Sequence, residues 1–332
     1  MADRPHQDRE VDLVIVGAGP AGLFAAYYGG FRGLRVAVID SLPQPGGQVM
    51  AMYPEKPIHD IAGFPSVRGR DLIDGLMRQA APFDPLYLLG QQATGLHRDV
   101  HGILTLTTSA GVRVTCRAVV LTAGVGTFSP RELPAGGSYE DRGLVYFVPR
   151  PDDLADQDVV IVGGGDSAVD WALLLDGVAR SVTLVHRRAR FRAHEHSVAR
   201  MLASPSIEVL VDHEVMEATG THMLESVRVA DKRGNERRLK CQTLVAALGF
   251  VADLGPINEW GLELRDRHIL VDTTMATSLP GVFAAGDVTE YPGKVRLIAV
   301  GFGEAATAVN NAMTLIDPEA SLFPGHSTDQ PC

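Results

Sequence analysis

The sequence predicts an α/β fold of two Rossmann-like dinucleotide-binding domains of the three-layer ββα type, the first of them discontinuous. Three observations carry that prediction. Residues 11–22, V-D-L-V-I-V-G-A-G-P-A-G, read as a buried strand running into a glycine loop. Residues 158–168, D-V-V-I-V-G-G-G-D-S-A, repeat the pattern near the middle of the chain. Further aliphatic strands, 118–122 and 281–285, run into glycines at Gly124 and Gly286.

In the first unit, five of the six residues 11–16 are aliphatic, the composition of a strand covered on both faces in a parallel sheet. Gly17 permits a tight turn, Gly19 lets a pyrophosphate approach the backbone, and Gly22 lets helix and strand pack closely. Residues 23–31 read as a helix whose N-terminus offers free N–H groups and a positive dipole end to phosphates. The strand 35–39 follows and ends in Asp40, about 20 residues beyond the loop, where a carboxylate accepts from a ribose hydroxyl.

The segment 41–65, S-L-P-Q-P-G-G-Q-V-M-A-M-Y-P-E-K-P-I-H-D-I-A-G-F-P, is too long and too rich in Pro and Gly for a simple connection. Its interspersed Met50, Met52, Tyr53, Ile58, Ile61 and Phe64 predict that it packs. Apolar residues at helical spacing predict an amphipathic helix over 70–81. Strands are expected at 86–89, at 102–108 and 112–116 as a hairpin, and at 118–122.

The second unit has a strand at 158–162, with Gly163, Gly165 and Ala168 in the three loop positions. A helix begins near 169, and the next strand spans 181–185. Asp166 and Ser167 stand at the helix start. Where the first unit has Asp40, this one has His186-Arg187-Arg188, followed by Arg190 and Arg192. Guanidinium groups grip phosphate with paired donors, so this unit should prefer NADP over NAD, while the first takes a nucleotide with an unphosphorylated ribose. Two such units imply two nucleotides, or one nucleotide and a relic. Short strands are expected across 207–241, a buried strand at 242–247 and a small-residue helix at 297–316. Glycine and proline clusters place the crossings near 124–146 and 248–280, giving a first domain of 1–124 plus 281–332 and a second of 125–280.

Composition excludes several classes. The 332 residues are 45% hydrophobic and 21% charged, enough for substantial cores. A net charge of -10 argues against nucleic acid or an anionic membrane as a general partner. No apolar run approaches the ~18 residues of a membrane helix, and the charged N-terminus does not read as a signal peptide. Cys116, Cys241 and Cys332 form no C-x-x-C pair, so no zinc knuckle or dithiol is encoded locally, and a cytoplasmic location is expected. His194 and His196 alternate on a helix and face apart, so no metal site is expected.

G-A-G-P-A-G, T-A-G at 122–124, G-G-G-D-S-A, H-R-R-x-x-x-R and V-F-A-A-G-D-V together resemble the two-dinucleotide-binding flavoproteins of the thioredoxin-reductase type. More closely, Y-P-E-K-P-I-H-D-I-A-G-F-P, H-R-R-A-R-F-R-A-H-E-H-S, L-G-P-I and G-F-G-E-A-A-T-A-V-N-N-A resemble the thioredoxin-reductase-like ferredoxin/flavodoxin–NADP+ reductases, over about 11–328. One departure from thioredoxin reductase itself is decisive. The C-x-x-C of that enzyme has no counterpart here, since no cysteine lies between Cys116 and Cys241, so electrons cannot pass by thiol exchange.

The resemblance implies FAD in the first unit and NADP(H) in the second. It implies FAD contacts from Gly17, Gly19, Gly22, Asp40, Gln48, Tyr53, Ala93, Phe128, Asp287, Ser327 and Thr328. Tyr53 and His326 would stack on opposite flavin faces, with no acid–base residue required. NADP contacts are implied for Gly163, Gly165, Asp166, Ser167, Ala168, His186, Arg187, Arg188 and Arg192. The tail would cover the flavin of a partner subunit in a homodimer, and an electron carrier, ferredoxin or flavodoxin, would meet the flavin directly. Another acceptor (a quinone, dioxygen or an external disulfide protein) and a non-catalytic redox sensor are the alternatives at this stage.

Overall fold

A computed structural model of the chain describes residues 8–124, 126–148 and 150–325, with backbone alone at 127–129 and 250–252. It divides into two compact units, Met1–Thr127 with Ala252–Cys332, and Phe128–Val251.

The centre of the first unit is a five-stranded parallel sheet in the order Val282–Ala284, Ala118–Leu121, Leu13–Val16, Val36–Asp40, Leu86–Leu89. Leu13 pairs with Val36 and with Ala118, so the three central strands end level and their loops open at one edge. Every residue of Leu13–Val16 is buried, as an uninterrupted aliphatic run requires. The period-2 alternation divides those residues between two layers. Leu13 and Ile15 pack with Leu23, Ala26, Leu72, Ala308 and Val309 of the helices Pro20–Phe31, Gly69–Ala80 and Ile298–Ile316. Val14 and Val16 pack with Leu104, Leu106 and Val114 of a mixed, mostly antiparallel sheet on the other face. That sheet runs Asp8–Glu10, Arg113–Cys116, Leu104–Thr108, Ala93–Arg98. The three-layer ββα arrangement follows from one sheet being apolar on both sides.

The second unit repeats the plan: Leu144–Val145, Thr243–Ala246, Asp158–Val162, Ser181–His186 and Ile207–Val211 form a parallel sheet in that order. An antiparallel sheet of His213–Thr219, Ser226–Asp231 and Glu236–Lys240 lies between the core strands Ile207–Val211 and Thr243–Ala246, as most of the first unit's second sheet lies between Leu86–Leu89 and Ala118–Leu121. The duplication seen in the glycine loops therefore extends to whole domains.

The boundaries differ from the sequence expectation. The second crossing falls at 251/252, inside the expected region 248–280 but well before the domain bound of 280/281. Leu254, Ile257, Leu262, Ile269 and Met275 explain the difference, because all five are buried in the cores of the first unit. The long segment 41–65 is also more ordered than its composition suggests, with a short helix Gly47–Met52 and the strand Pro57–Ile58 paired to Val67–Arg68. No described helix is long and apolar enough to cross a membrane.

Candidate nucleotide sites

In the first unit the glycine loop is shaped as the spacing implies. Gly17 has φ +114°, and a Cβ there would lie 2.5 Å from the Thr122 carbonyl oxygen. A Cβ on Gly22 would lie 1.9 Å from the Gly17 oxygen, so helix and loop meet at a distance only glycine allows. A Cβ on Gly19 would meet no protein atom within 4 Å, leaving its backbone open to a ligand. No side chain caps the helix Pro20–Phe31, so its first N–H groups are free for an anion. Thr122 completes the loop by donating its hydroxyl to the Gly17 oxygen at 2.9 Å. Its role was not foreseen, although the T-A-G motif marked the place.

Asp40 ends its strand with each carboxylate oxygen engaged once: Ala18 N–H donates to Oδ2 at 2.5 Å and Leu42 N–H to Oδ1 at 2.7 Å. Burial pushes the carboxyl above its ordinary range, and the two N–H donors oppose that shift. Each oxygen keeps a further lone pair, enough for a ribose diol. Gln91 N–H donates to the Asp40 carbonyl, and Ala93 opens the next strand two residues on. Ala93 and Asp40 thus belong to one end of the site.

The segment 41–52 closes over the loop, with Gly46 N–H donating to the Ala18 oxygen at 2.8 Å. Gln48 reaches Gly124, where a Cβ would lie 3.2 Å from Nε2. Tyr53 ends the helix Gly47–Met52 with Lys56 Nζ 5.6 Å from its ring centroid. Burial, then the charges of Asp287 and Asp60, push its hydroxyl up to about 12, so it stays a neutral phenol. Asp287 itself is raised by burial, with Lys294 and Arg296 opposing. Lys294 and Glu304 beside it were missed; the signal was a lone carboxylate in the otherwise uncharged helix Ile298–Ile316. Phe128 lies in the strand Thr127–Pro130, and His326, Ser327 and Thr328 lie outside the described residues.

The second unit opens a cavity of about 1130 Å³ lined by Gly163, Gly165, Asp166, Ser167, His186, Arg187, Arg188 and Arg192, among others. Gly165, like Gly19, has nothing near its Cβ position, while Ala168 is fully buried beneath the loop. Backbone bonds tie the basic segment to the loop. Arg192 N–H donates to the Gly164 oxygen at 2.8 Å, and His194 N–H donates to Asp166 Oδ1 at 2.9 Å. His186 is mainly a support: its ring is buried against Gly164, stacks on Phe191 at 5.1 Å and bonds the Arg190 oxygen at 3.1 Å. Arg187, Arg188 and Arg192 are exposed, and none joins an ion pair among the described residues. Three unpaired guanidiniums at the end of this strand suit a 2′-phosphate.

The two thiols of the described residues offer no relay. Cys116 and Cys241 are free and buried, and burial pushes each thiol up to about 12, which keeps it protonated and unreactive. No group of three metal-ligating side chains occurs among the described residues.

Relatives agree with this architecture. A ferredoxin–NADP reductase of Salinispora arenicola is 61% identical over 97% of this chain and 99% of its own. One from Frankia alni is 59% identical over 95% and 98%. Among solved structures, Lactococcus lactis thioredoxin reductase is 26% identical with a TM-score of 0.79, covering 92% of this chain and 99% of its own. A model of the pyridine nucleotide-disulphide oxidoreductases matches residues 11–312. That match spans both glycine loops, and the chain belongs to the pyridine nucleotide-disulphide oxidoreductase family.

Proposed function

We propose that the chain carries electrons between NADP(H) and a ferredoxin or flavodoxin, using bound FAD. The observation that carries this reading is the contrast between the two loops: one ends in a carboxylate, the other in unpaired arginines, with no dithiol between them. When bound, FAD supplies the exchange of single electrons on one side and of a hydride on the other. The residues around it bind and orient. Gly17, Gly19, Gly22 and Asp40 hold the adenylate half, Gln48, Tyr53 and Asp287 lie toward the isoalloxazine, and Arg187, Arg188 and Arg192 fix the nicotinamide nucleotide. Docking of an acidic ferredoxin requires a local basic patch against the net charge of -10.

The tail supports a homodimer. Arg32, just past the helix Pro20–Phe31, donates to the Leu322 oxygen at 3.2 Å and to the Ser321 oxygen at 2.7 Å. That anchor lies about 18 Å from the glycine loop at the other end of the 12-residue helix. As the resemblance implies, His326, Ser327 and Thr328 of one copy serve the flavin of a second, where His326 covers the face opposite Tyr53 and must move to admit nicotinamide. Truncation before Phe323 is expected to change the hydride-transfer rate measured by stopped flow; unaltered rates and flavin spectra contradict the gate. A steady-state comparison of acceptors tests the function. NADPH-dependent reduction of ferredoxin or flavodoxin supports it, and turnover with quinone alone overturns it.

A further inference from the structure

The turn carrying Asp287 is held from behind by a buried ionic cluster. Gly286 has φ +82°, and its N–H donates to Glu304 Oε2 at 2.7 Å. Lys294 Nζ donates to the Gly286 oxygen at 3.0 Å and to both Glu304 oxygens, at 2.5 and 2.8 Å. The Tyr291 hydroxyl donates to Glu304 Oε1 at 2.5 Å, and its ring lies 5.5 Å from Lys294 Nζ. The side chains of Lys294 and Glu304 are 1% and 5% exposed. The three ammonium protons and both carboxylate oxygens are thus all engaged, and both polar groups of Gly286 are gripped at once.

A buried ion pair is a weak source of stability, since desolvation offsets its attraction and apolar replacements of similar volume often do as well. What such a cluster supplies is one defined arrangement of the backbone it touches. Here that backbone is the residue immediately before Asp287. Packing closes the remaining freedom: Cβ atoms built on Gly286 and on Gly301 lie 3.2 and 3.5 Å from Ala21 Cβ, at the start of the helix behind the phosphate loop.

We propose that Lys294, Glu304 and Tyr291 are positioning residues that fix the Gly286–Asp287 turn and so aim the Asp287 carboxylate at the ribityl chain of FAD. The inference rests on the function proposed above. None of the three touches the reacting atoms; they act through Asp287.

Equilibrium FAD binding to the apoprotein tests this, followed by flavin fluorescence across a double-mutant cycle of Glu304→Gln and Asp287→Asn. Each single change is expected to weaken FAD by about tenfold, and the pair by little more than either alone, because both remove one interaction. Lys294→Met/Glu304→Leu guards against simple misfolding. Its apoprotein is expected to stay folded, melting only a few degrees lower because the Gly286 N–H and the Tyr291 hydroxyl lose their acceptor, while binding FAD about tenfold more weakly. A cycle in which the two changes multiply independently, or a stable double variant that binds FAD within twofold of the parent, overturns the inference. A parent that binds FAD but reduces neither ferredoxin nor flavodoxin overturns the proposed function and leaves the positioning role standing. A parent that takes up no FAD overturns both.

Discussion

Gly22→Ala yields a protein that loses its FAD. The added methyl would lie 1.9 Å from the Gly17 oxygen and 2.6 Å from Thr122 Oγ1. Neither neighbour can swing aside as a flexible side chain would. The Gly17 backbone is fixed by its N–H bond to the Ile39 oxygen, and Thr122 is fixed by its bond to Gly17. Overpacking of this kind costs about 1–3 kcal/mol or more and displaces the loop that faces the pyrophosphate. Thermal unfolding should fall by on the order of 5 °C, with flavin absorbance absent after purification. Gly19→Ala is the informative partner, since its methyl meets no protein atom within 4 Å. That variant should keep the apoprotein's melting temperature yet bind FAD more weakly, because the space it fills is the ligand's. A Gly22→Ala protein as yellow and as stable as the parent contradicts the account of the loop.

Arg187→Ala/Arg188→Ala raises the KM for NADPH by about 10²-fold relative to that for NADH. Each guanidinium is exposed and lines the cavity, and neither is spent on a carboxylate of the described residues. A charge-assisted hydrogen bond contributes roughly 1.5 kcal/mol or more, so losing two changes the ratio by about two orders of magnitude. The effect is specific to the 2′-phosphate because the loop itself stays in place. It is held by Arg192 N–H on Gly164 and by the His186 ring on the Arg190 oxygen. Steady-state kinetics with both nucleotides decides, and an unchanged ratio removes the phosphate assignment.

Much of this was readable from local sequence because the determinants are local. The glycine spacing fixes turn, approach and close packing within a dozen residues, and the loops adopt the shapes those spacings imply. The strands were legible because a sheet covered on both faces needs unbroken aliphatic runs, as at 13–16 and 158–162. What escaped was decided by distant partners. The strand Asp8–Glu10 is wholly exposed and carries no apolar signal; it exists through parallel pairing to Arg113–Cys116. Residues 252–280 looked like a linker by their glycines and prolines, yet Leu254, Ile257 and Ile269 bury themselves in the first unit. His186, implied as an NADP contact beside two arginines, lines the cavity, and its inward packing onto Gly164 was not legible in the sequence. Lys294 and Glu304 are ten residues apart and meet only because a turn folds back on its helix.

If electrons pass from the arginine-lined pocket to the carboxylate-ended one and out to a carrier without a sulfur relay, blocking the thiols leaves the transfer intact. Anaerobic stopped-flow with NADPH, then ferredoxin, on untreated and iodoacetamide-treated protein tests it directly. The account predicts bleaching of the flavin band by NADPH and recovery on adding ferredoxin, at the same rates in both samples. A colourless protein that takes up no FAD, or a transfer abolished by alkylation, contradicts it.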